Sequence, residues 1–506
     1  MSLSNLSLDT IVKYARRKGF VYPGSEIYGG LANTWDFGPK GVLLKENLKK
    51  LWKLKFVYQR QDMVELDSGI LAHQKIWEAS GHTASFADCL VDCKECKSRL
   101  RADHLIEDAI DVDVEGKTTE EITKIIQENK IKCPKCSSFN WTNARYMNLM
   151  FETNRDKLSN SITILEELLA KKEGDSISLN AEDVADLQQK LESQMENRVY
   201  LRPETCQPIF VQFKNILQTE RPKFPFGIAQ IGKAFRNEIT PGNFIFRTIE
   251  FEAMEIEYFI REEDWKPKFE EWLKEEQDFL VNYLGFNEDN FKLFDHPTEK
   301  LSHYSKRTVD ILYNFPFGFK ELWGLAYRTN FDLNQHQKYS EQDLQYTDPQ
   351  TGEKFTPHVI EPALGVDRLF LASLCEHYDE EELTDSKGEK DLRIVVRFPF
   401  DLAPYKIAVL PLMKKDGMGD KAQEIFADLR KAGIMADFDD AGSIGKRYRR
   451  QDENGTPWCV TVDYETLDKD HADFGTITLR HRDSMTQTRI KIEEIQNYLN
   501  KVKFGK

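Results

Sequence analysis

The sequence contains no apolar run approaching the roughly 20 residues that a membrane-spanning helix needs. Its opening stretch, MSLSNLSLDTIVKYARRKGF, lacks the unbroken apolar core of a secretory signal, so a cytoplasmic location with no membrane partner is the expectation. Positive charge is not in excess: 70 Lys and Arg stand against 85 Asp and Glu, a net charge of −15. That balance excludes a protein that coats nucleic acid indiscriminately, though not one that recognises it locally. No internal repeat is present. Cysteine is scarce, eight in 506 residues. In a reducing compartment such cysteines are metal ligands or buried thiols before they are disulfides.

What is present describes a globular chain of two or three domains, with 40% hydrophobic and 31% charged residues. Residues 40–57 (KGVLLKENLKKLWKLKFV) predict an amphipathic helix, with Leu44, Leu48, Leu51 and Leu54 on one face and lysines on the other. Residues 154–196 form a polar, mostly helical block. Asn180 followed by Glu182 and Asp183 makes a helix start, and the stretch reads as a surface insertion. From Tyr200 to Leu374 short β-rich segments alternate with Pro and Gly and end in a helix, and the charged stretch 379–390 reads as a boundary loop. Beyond it, IAVLPL, KAQEIFADLRKAG and WCVTVD give strand–helix–strand order and a small α/β domain with a largely parallel sheet.

Residues 89–140 carry two CxxC knuckles, Cys93/Cys96 and Cys133/Cys136. Each presents two thiolates, and four complete a tetrahedral zinc shell with no open position, which makes the site structural. Cys89, Cys206, Cys375 and Cys459 stand outside this pattern and read as buried thiols.

Two arginines carry the strongest chemical signal. Phe235-Arg236-Asn237-Glu238 and Phe246-Arg247-Thr248-Ile249-Glu250-Phe251 read as a hairpin closed by the turn-rich Ile239-Thr240-Pro241-Gly242-Asn243. Alternation puts Arg236 and Glu238 on one face, with Arg247, Phe251 and Glu255 sharing parity on the second strand. A core face seldom holds two arginines, although cross-strand ion pairs on an exposed sheet are the bland alternative. Arg368 follows Gly365 at a helix start, where backbone amides favour anions. A guanidinium fork holds phosphate oxygens at two points, so two forks on separate elements suggest a nucleotide bent across a sheet. On this reading Arg236 grips the α-phosphate, Arg247 reaches phosphate, Phe251 stacks on adenine and Glu238 accepts from its amino group.

The hairpin and the GVDR helix resemble motifs 2 and 3 of class II aminoacyl-tRNA synthetases. LRPETCQPIF (201–210), HYSKRTVDILYNFPFGFKELWGLAYRTNFDL (303–333), VIEPALGVDR (359–368) and GSIGKRYRRQDENGTPWCVTVDYETL (442–467) resemble the dimeric glycyl-tRNA synthetase family in particular. The likeness covers most of the chain, with 154–196 the main exception. It implies an α+β fold: an antiparallel class II catalytic sheet over 1–395 with a zinc-bearing insertion, then an α/β anticodon-binding domain over 400–506. It implies ATP-dependent ligation of glycine to its tRNA through glycyl-adenylate, by a homodimer joined through residues 38–57. The partners implied are ATP, glycine and tRNA.

Carried over residue by residue, Arg236, Asn237, Glu238, Phe246, Arg247, Phe251, Glu321, Leu322, Gly365 and Arg368 would meet ATP, with Arg236 and Arg368 catalytic. Glu321 would hold Mg²⁺ with the phosphates. Glu204 and Glu361 would take the substrate ammonium, with Phe251, Glu252 and Glu255 nearby, and Arg101 and Arg328 would take its carboxylate. Glycine has no side chain, so selectivity would come from excluding larger substrates. The chain departs from the family at Ala363, where a serine is frequent; the change removes one hydrogen bond near the substrate. Lys446-Arg447-Tyr448-Arg449-Arg450 would either meet tRNA phosphates or serve a structural role. A synthetase for threonine or proline, a non-catalytic relative that binds RNA, and a zinc-dependent nucleic-acid-binding protein remain alternatives.

Overall fold

The computed structural model describes residues 6–110, 112, 114, 116–155, 166–173, 176–177, 179–238, 242–302, 304–384, 388 and 390–503. A seven-stranded sheet organises the larger part: β1 (Met63–Glu65), β2 (Phe226–Phe235), β3 (Glu250–Ile260), β4 (Phe291–Asp295), β5 (Arg307–Phe315), β6 (Gly318–Thr329) and β7 (His358–Gly365). Their order is β4-β5-β6-β7-β3-β2-β1, antiparallel throughout except that β1 runs parallel to β2.

Strand β3 shows how the sequence builds two unlike faces. Met254, Ile256, Tyr258 and Ile260 alternate with Phe251, Ala253, Glu255 and Glu257, so a period of two separates apolar from chemically active side chains. The first set buries in the main core beneath α1 (Pro39–Lys53). On the other face, α2 (Cys206–Glu220) covers Phe226, Ile228 and Phe259 through Ile209, Phe210 and Phe213. The helices α3 (Trp265–Asp278) and α4 (Val366–His377) complete the main core. The end of β3 at Phe251, Ala253 and Glu255 is left lining a cavity.

Gly232 on β2, opposite Ala253, leaves room for a buried arginine: a Cβ there would lie 2.0 Å from Arg202 Nη2. Arg202 donates to the Lys233 carbonyl and to the carbonyl and hydroxyl of Ser68, which pins the segment leading to Glu204.

Several expectations change. Strand β2 ends at Phe235 and β3 begins at Glu250, so Arg236, Glu238 and Arg247 lie in the connection rather than on the strands. Phe244 and Ile245 bury in the main core from a short 3-10 turn, which pulls the chain off the ladder; residues 239–241 lie outside the described part. In α1, Leu44, Leu48 and Leu51 are buried, but Leu54 is 38% exposed on the wider turn that follows. Nor do all its lysines face solvent: Lys45 reaches Asp367 (2.6 Å) and Glu252 (3.1 Å), and Lys49 reaches Glu252 (3.0 Å).

The expected loop at 379–390 is instead a β-hairpin, Tyr378–Thr384 against Lys390–Val396. Its charges pair with one another, Glu381 with Arg393 and Arg397 among them, so a charged stretch became a strand; residues 385–387 and 389 lie outside the described part. The cysteine-bearing block is wider than 89–140. Ala87–Asp92, Arg99–Arg101 and Arg145–Asn148 form a three-stranded sheet over a separate small core with Ile106, Ile122 and Trp141. In 154–196, Asn180 and Asp183 form a reciprocal cap on the helix Ala181–Glu196; residues 156–165 and the loop residues 174, 175 and 178 lie outside the described part.

The C-terminal sheet comprises β8 (Ile407–Pro411), β9 (Ala436–Phe438), β10 (Trp458–Val462), β11 (Thr476–His481) and β12 (Gln487–Lys491), in the order β9-β8-β10-β11-β12. It is mixed: β8 is parallel to β9 and β10, whereas β10, β11 and β12 are antiparallel. Helices α5 (Met418–Lys431), α6 (Ile444–Asn454) and α7 (Ile495–Lys503) accompany it. Buried Asp452 on α6 accepts from Arg480 of the same sheet and from Arg393 of the preceding hairpin, so a buried ionic joint links the two parts.

Candidate active site

A cavity of ≈ 150 Å³ opens over the catalytic sheet, and Arg236, Arg247 and Arg368 all line it with Glu238, Phe246, Phe251 and Glu321. Arg236 donates from Nε to the Pro203 carbonyl (2.9 Å), and its guanidinium lies 5.3 Å from the rings of both Phe86 and Phe251. Phe251 therefore supports Arg236. The ring that faces the other clamp is Phe246, 4.5 Å from the Arg368 guanidinium. Arg368 also pairs with Glu321 at 3.1 Å, and this pairing holds the Glu321 carboxyl below its usual range. Arg247 stands 3.9 Å from Glu238. Leu322 falls at an irregularity in the β5–β6 register and buries in the main core, so its side chain does not reach the cavity. Asn237 lines a separate depression with Lys97 and Arg99, and its backbone N–H donates to the Leu149 carbonyl.

Beside the arginines lies an acidic group. Glu255 lines the cavity and couples electrostatically to Glu204 and Glu361. Burial and these two neighbours push Glu255 up to about 7, although its Oε2 accepts from the Thr205 backbone N–H (2.8 Å) and hydroxyl. For Glu204, burial opposes ionisation, yet His82, Arg328 and Arg236 outweigh it and hold the carboxyl down at about 2. Its Oε2 meets His82 Nε2 at 3.2 Å, while Oε1 is buried and has no partner among the described residues. Burial raises Glu361, which accepts from Arg328 at 2.9 Å.

Other candidates lie outside this group or are already engaged within it. Glu252 has the opposite parity from Phe251 and Glu255, so it faces Lys45 and Lys49 on the far side of β3. Arg101 lies in the cysteine-bearing block, held by Asp88 (3.2 Å) and Asp103 (2.5 Å). Arg328 is in place but committed: it donates to Asp332 at 2.8 and 2.9 Å and to Glu361, with Tyr304 beneath it at 3.9 Å. It orients acids here rather than standing open to a carboxylate. Ala363 faces Glu255 across the ladder and lines the cavity with a methyl group. Sequence reasoning missed His82, Thr205, Asp332 and Glu257. Glu257 is fully buried against Cys206 and Glu361, and burial and Glu361 raise it far above the ordinary carboxylate range. Only the regular odd-number spacing of Glu255 and Glu257 on β3 marked it in the sequence.

The four knuckle cysteines converge. Cys93 and Cys136 sulfurs lie 3.5 Å apart, and those of Cys96 and Cys133 lie 3.6 Å apart. Tetrahedral thiolates at about 2.3 Å from zinc would lie about 3.8 Å from one another, so the donor set fits that ion and is far too open for a disulfide. Both knuckles repeat one backbone pattern: Lys97 N–H to Cys93 O and Ser137 N–H to Cys133 O, with Lys97 and Ser137 at φ of 59°. Cys89, Cys206, Cys375 and Cys459 are buried free thiols, as expected.

The basic run at 446–450 resolves toward a structural role. Arg447 is buried and donates to the carbonyls of Pro411, Asp440 and Gly442. Arg449 pairs with Asp391 and Arg450 with Asp439, while Tyr448 bonds Thr461 and lies under Arg480.

Three guanidiniums thus face one cavity over an antiparallel sheet, with acidic side chains behind them. Residues 189–378 match the family described as "tRNA synthetase class II core domain (G, H, P, S and T)", and residues 406–502 match "Anticodon binding domain". Proteins named glycine–tRNA ligase resemble the chain end to end. That of Caldanaerobacter subterraneus is 48% identical over 99% of both chains, that of Malacoplasma penetrans 50% over 96% of both, and that of Clostridium perfringens 48% over 98% of both. The chain belongs to the glycine–tRNA ligase family. Among the described residues no helix is long and apolar enough to cross a membrane.

Proposed function

We propose that the chain joins glycine to its tRNA at the expense of ATP, through a glycyl-adenylate. The observation that carries this reading is Glu204 Oε1, without a partner among the described residues and buried in an acidic recess that Glu255 connects to the three-arginine cavity. An ammonium satisfies that oxygen, and its charge offsets crowded carboxylates that otherwise repel one another.

With the ammonium in the recess, the substrate carboxylate points toward Arg236. One of its oxygens attacks the α-phosphorus, the bond to the bridging β-oxygen breaks, and pyrophosphate leaves with the electron pair. Arg236 stabilises the charge that grows on the α-phosphoryl oxygens, and adenine stacks on Phe246 once Arg368, which covers that ring at 4.5 Å, moves aside. Then a terminal ribose hydroxyl of tRNA attacks the adenylate carbonyl and AMP departs. Arg328 and Asp332 keep Glu361 oriented throughout. Glu321 suits Mg²⁺ bound with the phosphates, because a carboxylate beside phosphate oxygens is a hard-oxygen donor set, and that ion would neutralise charge on the departing group.

Further assignments rest on the same family reading. Cys93, Cys96, Cys133 and Cys136 hold a structural zinc. Chelation should therefore loosen residues 87–148 first in limited proteolysis, and unchanged cleavage there would refute the metal. Residues 1–395 form the catalytic domain and 400–506 the anticodon-binding domain of a cytoplasmic homodimer. Residues 38–57 suit its interface, since Val42 (47%) and Leu54 (38%) stay exposed while the opposite side of the helix is buried. Pyrophosphate exchange with a panel of amino acids tests the central claim. Glycine alone should support exchange; exchange with threonine or proline instead would defeat it.

A further inference from the structure

Two side chains unused in the proposed reaction, Ser80 and His82, abut the ammonium recess. Both lie N-terminal to the segment that matches the class II core. His82 Nε2 is 3.2 Å from Glu204 Oε2, and its Nδ1 is 2.8 Å from the Ser80 hydroxyl. The other acceptor within reach of that hydroxyl, the Trp77 carbonyl, is at a longer 3.4 Å. Whether Ser80 donates to Nδ1 or Nδ1–H donates to Ser80 from a doubly protonated ring, the bond fixes the ring plane, and the carboxylate at Nε2 requires a proton there to donate to Glu204. Trp77 and Phe86 flank the imidazole at 5.5 and 5.2 Å, and Asn148 donates to the His82 carbonyl, so ring and backbone are both held.

The consequence falls on Glu204. With Oε2 occupied, its buried Oε1, unpartnered among the described residues, is the acceptor left for a ligand. The held imidazole spends its Nε2–H on one oxygen of Glu204, whereas the three rotatable donors of a lysine there could engage both and compete with an incoming ammonium. We propose that His82, oriented by Ser80, is a positioning residue that selects the ammonium end of the substrate by fixing which oxygen of Glu204 meets it. This inference rests on the reading of the recess as the glycine site.

Glycine-dependent pyrophosphate exchange by the full chain tests it, with KM measured separately for glycine and ATP. His82→Leu should raise the glycine KM about tenfold or more while the ATP KM stays within about twofold. His82→Gln, whose amide N–H replaces the Nε2 donor, should restore the glycine KM to within about threefold of the parent value, and Ser80→Ala should raise it about threefold. An unchanged glycine KM in His82→Leu, a parallel rise of both KM values, or a Gln variant no better than Leu would overturn the proposal. Should His82→Leu fail to fold, Ser80→Ala and His82→Gln decide: parental glycine KM in the former or Leu-like loss in the latter overturns it. A parent chain that shows no glycine-dependent exchange would instead defeat the reading of the recess itself.

Discussion

The chain holds two groups of arginines, the contiguous run at 446–450 and the three that the fold brings to the cavity, and they differ in what their guanidiniums have left to give. In 446–450, Arg447 spends its fork on three backbone carbonyls and Arg449 and Arg450 are matched to aspartates. Around the cavity, Arg368 is engaged by Glu321 and the Phe246 carbonyl, but Arg236 engages one carbonyl through Nε, and Arg247 stands at 3.9 Å from its nearest acid. The more crowded cluster holds the fold; the sparser one can hold a ligand. Unspent donors, not the density of positive charge, distinguish a binding arginine from a structural one.

The largest effect should come from removing an unspent fork. Arg236→Ala should lower glycine-dependent exchange by at least about 10²-fold, as loss of a preorganised charge-stabilising donor does. Its thermal midpoint should stay close to the parent's, and near-parental exchange would erase the distinction. Arg447→Ala should do the reverse. It strands buried carbonyls, costs about 2–3 kcal/mol in thermal or denaturant unfolding, and leaves both substrate KM values of activation unaltered. A stable Arg447→Ala protein would show that its three bonds are dispensable.

A smaller effect sharpens the cavity side. Glu255 is raised to about 7 by burial and its acidic neighbours, so the folded chain keeps a proton there that an unfolded carboxyl has released. That contribution to stability is complete below the ordinary carboxylate range and is lost as pH rises through about 7. An ammonium reverses the preference, because it favours the ionised form. Glycine KM should therefore fall severalfold as pH rises through about 7, and Glu255→Gln should flatten the profile. A flat profile in the parent chain would remove Glu255 from the ammonium recess.

What could be read from the sequence divides along physical lines. Local chemistry was legible: the CxxC pairs, the Asn180 cap, the apolar strands of the C-terminal sheet and the arginines at 236, 247 and 368. Strand parity separates Glu252 from Glu255, yet the family resemblance sets both beside the substrate, and weighing it above the alternation misplaces Glu252. Parity failed at Arg236, Glu238 and Arg247, because burial of Phe244 and Ile245 ended the strands early. It failed again at 379–390, where charges pair across a hairpin instead of meeting water. His82 could not be picked out among ten histidines, since its partner Glu204 lies far away in the chain.

The buried Asp452, shared by Arg393 and Arg480, has a mechanical consequence. Prising the hairpin from α6 would leave a carboxylate inside protein without one of its counterions, a cost of several kcal/mol. The connection between sheet and tail thus behaves as a locked elbow.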